Sequence, residues 1–155
     1  MCDYSLCGLP TRLSVEGEEL IVHRFSTGSM GLAAPVDLRV ELEVERSHRS
    51  LWQRIKDFFE EPRGPIVPAV CVPPGAQLIL KNIPSDLQRR WHVPESQGVV
   101  FVQISAEINS YRDAIQFDDG RQLRLQDLRE GLRVKVVSLE GTTVVDEPNF
   151  AMELR

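Results

Sequence analysis

The sequence predicts a mainly β protein: a small antiparallel sheet or partly closed barrel of about seven to nine strands, with one amphipathic helix over about 50–60 and a short second helix over about 85–91. Three observations carry that prediction. Apolar and polar residues alternate at period two in several short runs, Gly, Pro and Asp clusters separate those runs at short intervals, and the period turns helical in one long stretch only. At 155 residues the chain has the usual length of a single domain, 1–155, and can bury roughly 68–70% of the surface its unfolded form exposes.

Residues 1–18 read as irregular, broken by Gly8, Pro10 and Gly17 and closing on acidic residues. A first strand is expected from Leu20 to Phe25, followed by a loop over Ser26-Thr27-Gly28-Ser29-Met30-Gly31, where two glycines and three hydroxyl residues favour turns. Leu38, Val40, Leu42 and Val44 then alternate with Arg39, Glu41, Glu43 and Glu45, the pattern of a strand with one wet face. From Ser50 the spacing changes: Leu51, Trp52, Ile55, Phe58 and Phe59 fall on one helical face, with Gln53, Arg54, Lys56 and Asp57 between them. Pro62, Gly64, Pro65 and Pro68 end that helix and enforce an extended exit, so residues 47–68 read as a helical insertion or arm. The same apolar stripe could instead cover the core face of the sheet.

After the prolines, Ala69 to Val72 and Gln77 to Leu80 read as strands joined through Pro73-Pro74-Gly75. Ser85 is placed to cap the short second helix, which carries Leu87 and Trp91 inward. Val99 to Ser105 is the next strand, with Val100, Val102 and Ile104 as its apolar face. The last third reads as a meander: Ala114 to Phe117, an Asp118-Asp119-Gly120 turn, Gln122 to Leu125, a turn around Leu128 and Gly131, Leu132 to Leu139, and Thr143 to Val145.

The formal net charge of −5, the pI near 5.2 and an aromatic content of 6% give no footprint for nucleic acid. The basic groups Arg46, His48, Arg49 and Arg89, Arg90, His92 are short. No apolar run approaches the length needed to span a bilayer, and the first residues lack the basic and apolar regions of an export signal, so a cytoplasmic location is expected. On that footing the three cysteines, Cys2, Cys7 and Cys71, are expected as reduced thiols.

Three segments resemble an uncharacterised family of small bacterial proteins: the opening Met1-Cys2-Asp3-Tyr4-Ser5-Leu6, the run Ala69-Val70-Cys71-Val72-Pro73-Pro74-Gly75, and Arg112 to Gly120 with the following Leu128 and Gly131. The resemblance brings no activity, and it implies that the N-terminal residues belong to the folded unit. Segment 50–68 lies outside the matching motifs. Asp118-Asp119-Gly120-Arg121 with Leu125, Asp127-Leu128 and Gly131 to Val134 also looks like the strand-turn-strand element of intein-type self-processing domains. No threonine here has a His three residues on, however, so the likeness extends to hairpin grammar alone.

No CxxC, HxxxH or HExxH pairing is present. A thiolate site would have to be assembled from Cys2, Cys71 and one of His23, His48 or His92, and against it Cys71 reads as a small apolar residue in a strand. If Met1 is removed, Cys2 offers both thiol and α-amine, as a nucleophile with its own base or as a two-toothed metal ligand. Backbone groups of Gly28, Ser29 or Gly75 could then serve a developing oxyanion. His23 reads as a hydrogen-bonded, half-buried histidine on the face of Ile21 and Phe25. The Tyr111-Arg112-Asp113 run does not converge, because neighbouring strand residues point to opposite faces.

The expected function is therefore that of a non-catalytic binding or accessory module, without cofactor. It would hold a protein partner or a second copy of itself through Leu51, Trp52, Ile55, Phe58 and Phe59, and neither nucleic acid nor membrane. The alternative is a thiol-dependent protein in which Cys2 and Cys71 bind a metal or do redox chemistry.

Overall fold

The computed structural model describes residue 6 and residues 8–39, 66–105 and 110–140. These form a mainly β fold: a seven-stranded, wholly antiparallel half-barrel and a separate two-stranded parallel sheet. The strands are β1 (Thr11–Leu13), β2 (Glu19–Arg24), β3 (Met30–Ala33), β4 (Ala69–Cys71), β5 (Gln77–Lys81), β6 (Gln97–Gln103), β7 (Asp113–Gln116), β8 (Gln122–Arg124) and β9 (Arg133–Ser138). Their order in the half-barrel is β3-β2-β9-β5-β6-β7-β8, while β1 pairs with β4.

Period-two alternation builds the core. Leu20 and Val22 of β2, Val134 and Val136 of β9, Leu78 and Leu80 of β5, and Val99 and Phe101 of β6 all turn inward and are buried. Their neighbours Ile21, Ile79 and Lys135 lie on the outer face. One helix, α1 (Ser85–Trp91), covers an end of this core with Leu87 and Trp91, the indole lying 6.2 Å from the ring of Phe117. Its N-cap is Pro84 and no side-chain cap bond is made, so Ser85 is the first helical residue and not the cap. At the other end His92 takes a left-handed conformation, φ 55°, and its N–H donates to the Gln88 carbonyl, closing the last turn.

The two edges of the half-barrel meet through a side chain. Gln126 lies in a single 3-10 turn, Leu125–Asp127, that follows β8. Its Oε1 accepts the Met30 N–H at 3.0 Å and its Nε2 donates to the Met30 carbonyl at 3.0 Å. The primary amide thus stands in for a neighbouring strand on the outer edge of β3. Strand β3 is buried on both sides: Met30 and Leu32 face the core, and at Gly31 a Cβ would come within 2.9 Å of the Phe25 ring and 3.0 Å of a Leu6 methyl.

Several local expectations are corrected. Strand β1 lies in the stretch read as irregular; three residues between breakers are too few to show a period, and the strand exists because Thr11, Arg12 and Leu13 pair with Ala69, Val70 and Cys71. The loop after β2 is shorter than expected, with Met30 and Gly31 already paired to Arg24 and His23. Residues 35–39 are helical, so the expected strand does not begin at Leu38. Pro35 supplies a helix-compatible φ at the first helical position, and the Leu38 N–H reaches back to the Ala34 carbonyl at 3.4 Å. In β6 the inward face is Val99 and Phe101, while Val100 is 37% and Ile104 42% exposed. A run apolar on both faces leaves its own register open, and pairing of Phe101 with Ile115 settles it. The expected helix over 50–60 and the strand Thr143–Val145 lie outside the described residues.

Candidate functional site

Strands β2 and β9 pair so that Ile21 lies opposite Arg133 and Glu19 opposite Lys135, and β5 sets Lys81 opposite Arg133 on the other side. Alternation puts all of these on the outer face, because Leu20, Val134 and Leu80 fill the core. The helical turn 35–39 leaves β3 beside this face and brings Pro35, Leu38 and Arg39 against it. Together they enclose a recess of about 400 Å³, lined by Glu19, Leu20, Ile21, Pro35, Leu38, Arg39 and Arg133. That volume is within the usual range for small-molecule sites.

The recess is apolar on its walls and charged at its mouth. Glu19 accepts a 2.7 Å hydrogen bond from Lys81 Nζ, and that bond, with the positive charges of Lys81, Arg133 and Lys135 around it, holds its carboxyl below the ordinary range. Among the described residues neither Arg39 nor Arg133 has a carboxylate at ion-pair distance. In a chain of net charge −5 this outer face is therefore locally basic.

Next to the recess lies a second, small hydrophobic cluster of Leu6, Phe25, Ala33, Val67 and Ala69, with Leu9 and Leu38 against it. Leu38 stands just before residues 40–65 and Val67 just after them. Both ends of that segment are thus fastened to the same cluster. The residues expected to bind a partner, Leu51, Trp52, Ile55, Phe58 and Phe59, lie outside the described residues, as does Cys2.

Cys71 is described, and it corrects the expectation of reduced thiols: it is disulfide-bonded. It is buried at the end of β4 opposite Leu13, and its carbonyl accepts the Ser14 N–H at 2.9 Å. The other cysteines of the chain, Cys2 and Cys7, lie outside the described residues. In this oxidised state Cys71 has no thiolate to offer a metal. No group of three or more His, Cys, Asp or Glu side chains suited to a metal occurs among the described residues.

The other residues singled out from sequence are dispersed. The amides considered for an oxyanion are already engaged: Gly28 N–H donates to Phe25 O at 2.8 Å, Ser29 N–H to Thr27 Oγ1 at 3.5 Å, and Gly75 N–H to Phe101 O at 2.7 Å. His23 is half-buried as expected, edge-on to Phe25 at 5.0 Å with Nδ1 3.4 Å from Glu130 Oε1. Asp113 is buried on the core-facing side of β7, where Gln103 Nε2 donates to its Oδ1 at 3.1 Å, while Tyr111 is exposed. Arg89, Arg90 and His92 lie exposed on and after α1. Among the described residues no helix is long and apolar enough to cross a membrane. Sequence reasoning missed the recess, because its parts come from positions 19–21, 35–39 and 133 and only strand pairing unites them; the signal on offer was the row of Lys and Arg on the outer positions of two predicted strands.

Comparison of the chain with family models, with curated proteins and with solved structures gives no match.

Proposed function

We propose that this protein is a non-catalytic binding or accessory module, which holds a protein partner or a second copy of itself through the segment between Arg39 and Ile66. What carries the reading is the shared anchoring of Leu38 and Val67 in one hydrophobic cluster. A segment whose two ends are fastened to one cluster can be presented as an arm without disturbing the half-barrel. Its sequence supplies the chemistry of a contact surface, since the spacing of Leu51, Trp52, Ile55, Phe58 and Phe59 is that of one face of a helix and buried aromatic anchors dominate interface energetics. The test compares the full chain with its Trp52→Glu and Phe58→Glu variants by light scattering during gel filtration, and by crosslinking from position 55 in the producing cells. The reading expects a complex or dimer that both variants abolish while the far-ultraviolet spectrum stays unchanged. A monomer that crosslinks to nothing, or a complex indifferent to both variants, refutes it.

The disulfide at Cys71 favours a second reading, a thiol-dependent protein in which Cys2 and Cys71 act together. Its redox form is favoured over its metal form, because a metal needs the thiolate that the disulfide removes. Peptide mapping without reductant decides it: a Cys2–Cys71 link that is reduced and re-formed reversibly supports the reading, and an unlinked Cys2 ends it.

A further inference from the structure

We propose that the recess beside the helical turn 35–39 binds a small monocarboxylic acid with an apolar body, its carboxylate taken by the guanidinium groups of Arg39 and Arg133 and its hydrocarbon laid on Ile21 and Leu38. The walls and the charges both point to that class of ligand. Ile21, Pro35 and Leu38 give an apolar lining, which water fills poorly and a hydrocarbon fills well. Arg39 and Arg133 stand at the same recess, and among the described residues neither has an ion-pair partner. Planar guanidinium groups match a carboxylate through two parallel hydrogen bonds, which lysine cannot provide.

Cations at the mouth with apolar walls behind them suit an anion carried on a hydrocarbon. Glu19 also lines the recess, but Lys81 holds its carboxylate at 2.7 Å, so Arg39 and Arg133 are the lining cations left to a ligand. A single carboxylate can accept from both guanidinium groups while its hydrocarbon lies on Ile21 and Leu38. The site goes beyond the protein-partner reading and does not rest on it.

Octanoate is the probe, titrated into the isotopically labelled full chain and followed by amide chemical shifts, with octan-1-ol and acetate as comparators. The proposal expects saturable shifts at Ile21, Leu38 and Arg133 and an affinity for octanoate about tenfold or more above that for either comparator. Arg39→Gln and Arg133→Gln should each weaken octanoate about three- to tenfold, leave octan-1-ol unchanged and preserve the rest of the spectrum. Equal binding of octanoate and octan-1-ol overturns the proposal, as does octanoate binding that ignores both variants. Absence of shifts at millimolar octanoate overturns it too. Each result is independent of whether Trp52→Glu abolishes a protein complex.

Discussion

Replacing Gln126 with Met should open the seam between the two edges of the half-barrel while keeping the length and bulk of the side chain. The wild-type amide makes two hydrogen bonds to the Met30 backbone, both at 3.0 Å and both partly buried. A hydrogen bond contributes about 0.5–1.5 kcal/mol net, so the pair is worth roughly 1–3 kcal/mol, and partial access of water to the freed groups puts the expected loss near 2 kcal/mol. With a urea dependence of about 1–3 kcal/mol per molar, the unfolding midpoint should fall by roughly 1 M. Trp fluorescence in urea measures the global effect, and hydrogen exchange at the Met30 amide measures the local one. Gln126→Ala should cost somewhat more, because the side-chain stem is lost as well. A midpoint shift below about 0.3 kcal/mol equivalent, or a Met30 amide as protected in Gln126→Met as in the wild type, would refute the idea that this amide replaces a strand.

Glu18→Gln should destabilise by about 1–2 kcal/mol near neutral pH, since Glu18 accepts hydrogen bonds from the Arg12 guanidinium and, at 3.0 Å, from the Val15 N–H. The Arg12 bond is the main cause holding the Glu18 carboxyl below its ordinary value. Its stabilisation is therefore complete above the unfolded carboxyl's pKa of about 4.3 and is lost as pH falls through the lower folded value; thermal melting from pH 7 to 2 should show that acid loss blunted in Glu18→Gln. Gly31→Ala should lower stability by about 1–3 kcal/mol in the same melting assay, because its Cβ would press on Phe25 at 2.9 Å and Leu6 at 3.0 Å, both buried. Phe101→Ala should cost about 3–5 kcal/mol and Val100→Ala under about 1 kcal/mol in urea unfolding; comparable losses would contradict the register of β6.

Legibility in the sequence followed how each element is stabilised. Strands β2, β5 and β9 and helix α1 bury one face, so Leu20 and Val22, Leu78 and Leu80, Val134 and Val136, and Leu87 and Trp91 announce themselves by spacing. Strand β6 showed that it exists but not which way it faces, because Val99 through Val102 are apolar on both sides and the decision belongs to Ile115 across the ladder. Strand β1 left no trace, being fixed by partners 58 positions away at Ala69, Val70 and Cys71. The turn at 35–39 misled because Leu38 and Arg39 fit a strand and a helix equally well; the packing of Leu38 against the cluster of Leu6, Phe25, Ala33, Val67 and Ala69 goes with the helical choice. The recess could be read only in part, as a row of outward cations, since no local rule tells which strands will stand side by side.

Strand β9 lies between β2 and β5, yet it is the last of the described strands to be made. Until residues 133–138 leave the ribosome, the β2–β3 hairpin and the β5–β8 meander share no ladder, and the edges of β2 and β5 that β9 will occupy stay open. At about 5–20 residues per second, roughly 50 residues separate β5 from β9, a wait of several seconds for an apolar edge bearing Leu78 and Leu80. Folding must then close contacts of long sequence separation all at once, the slow regime for β proteins. The central strand acts as the tooth that joins two halves of a zip. A chain stalled before Arg133 would lack the ladder that joins the two halves, leaving the Gln126–Met30 bonds and the β1–β4 pair as its links between them, and would be a substrate for chaperones.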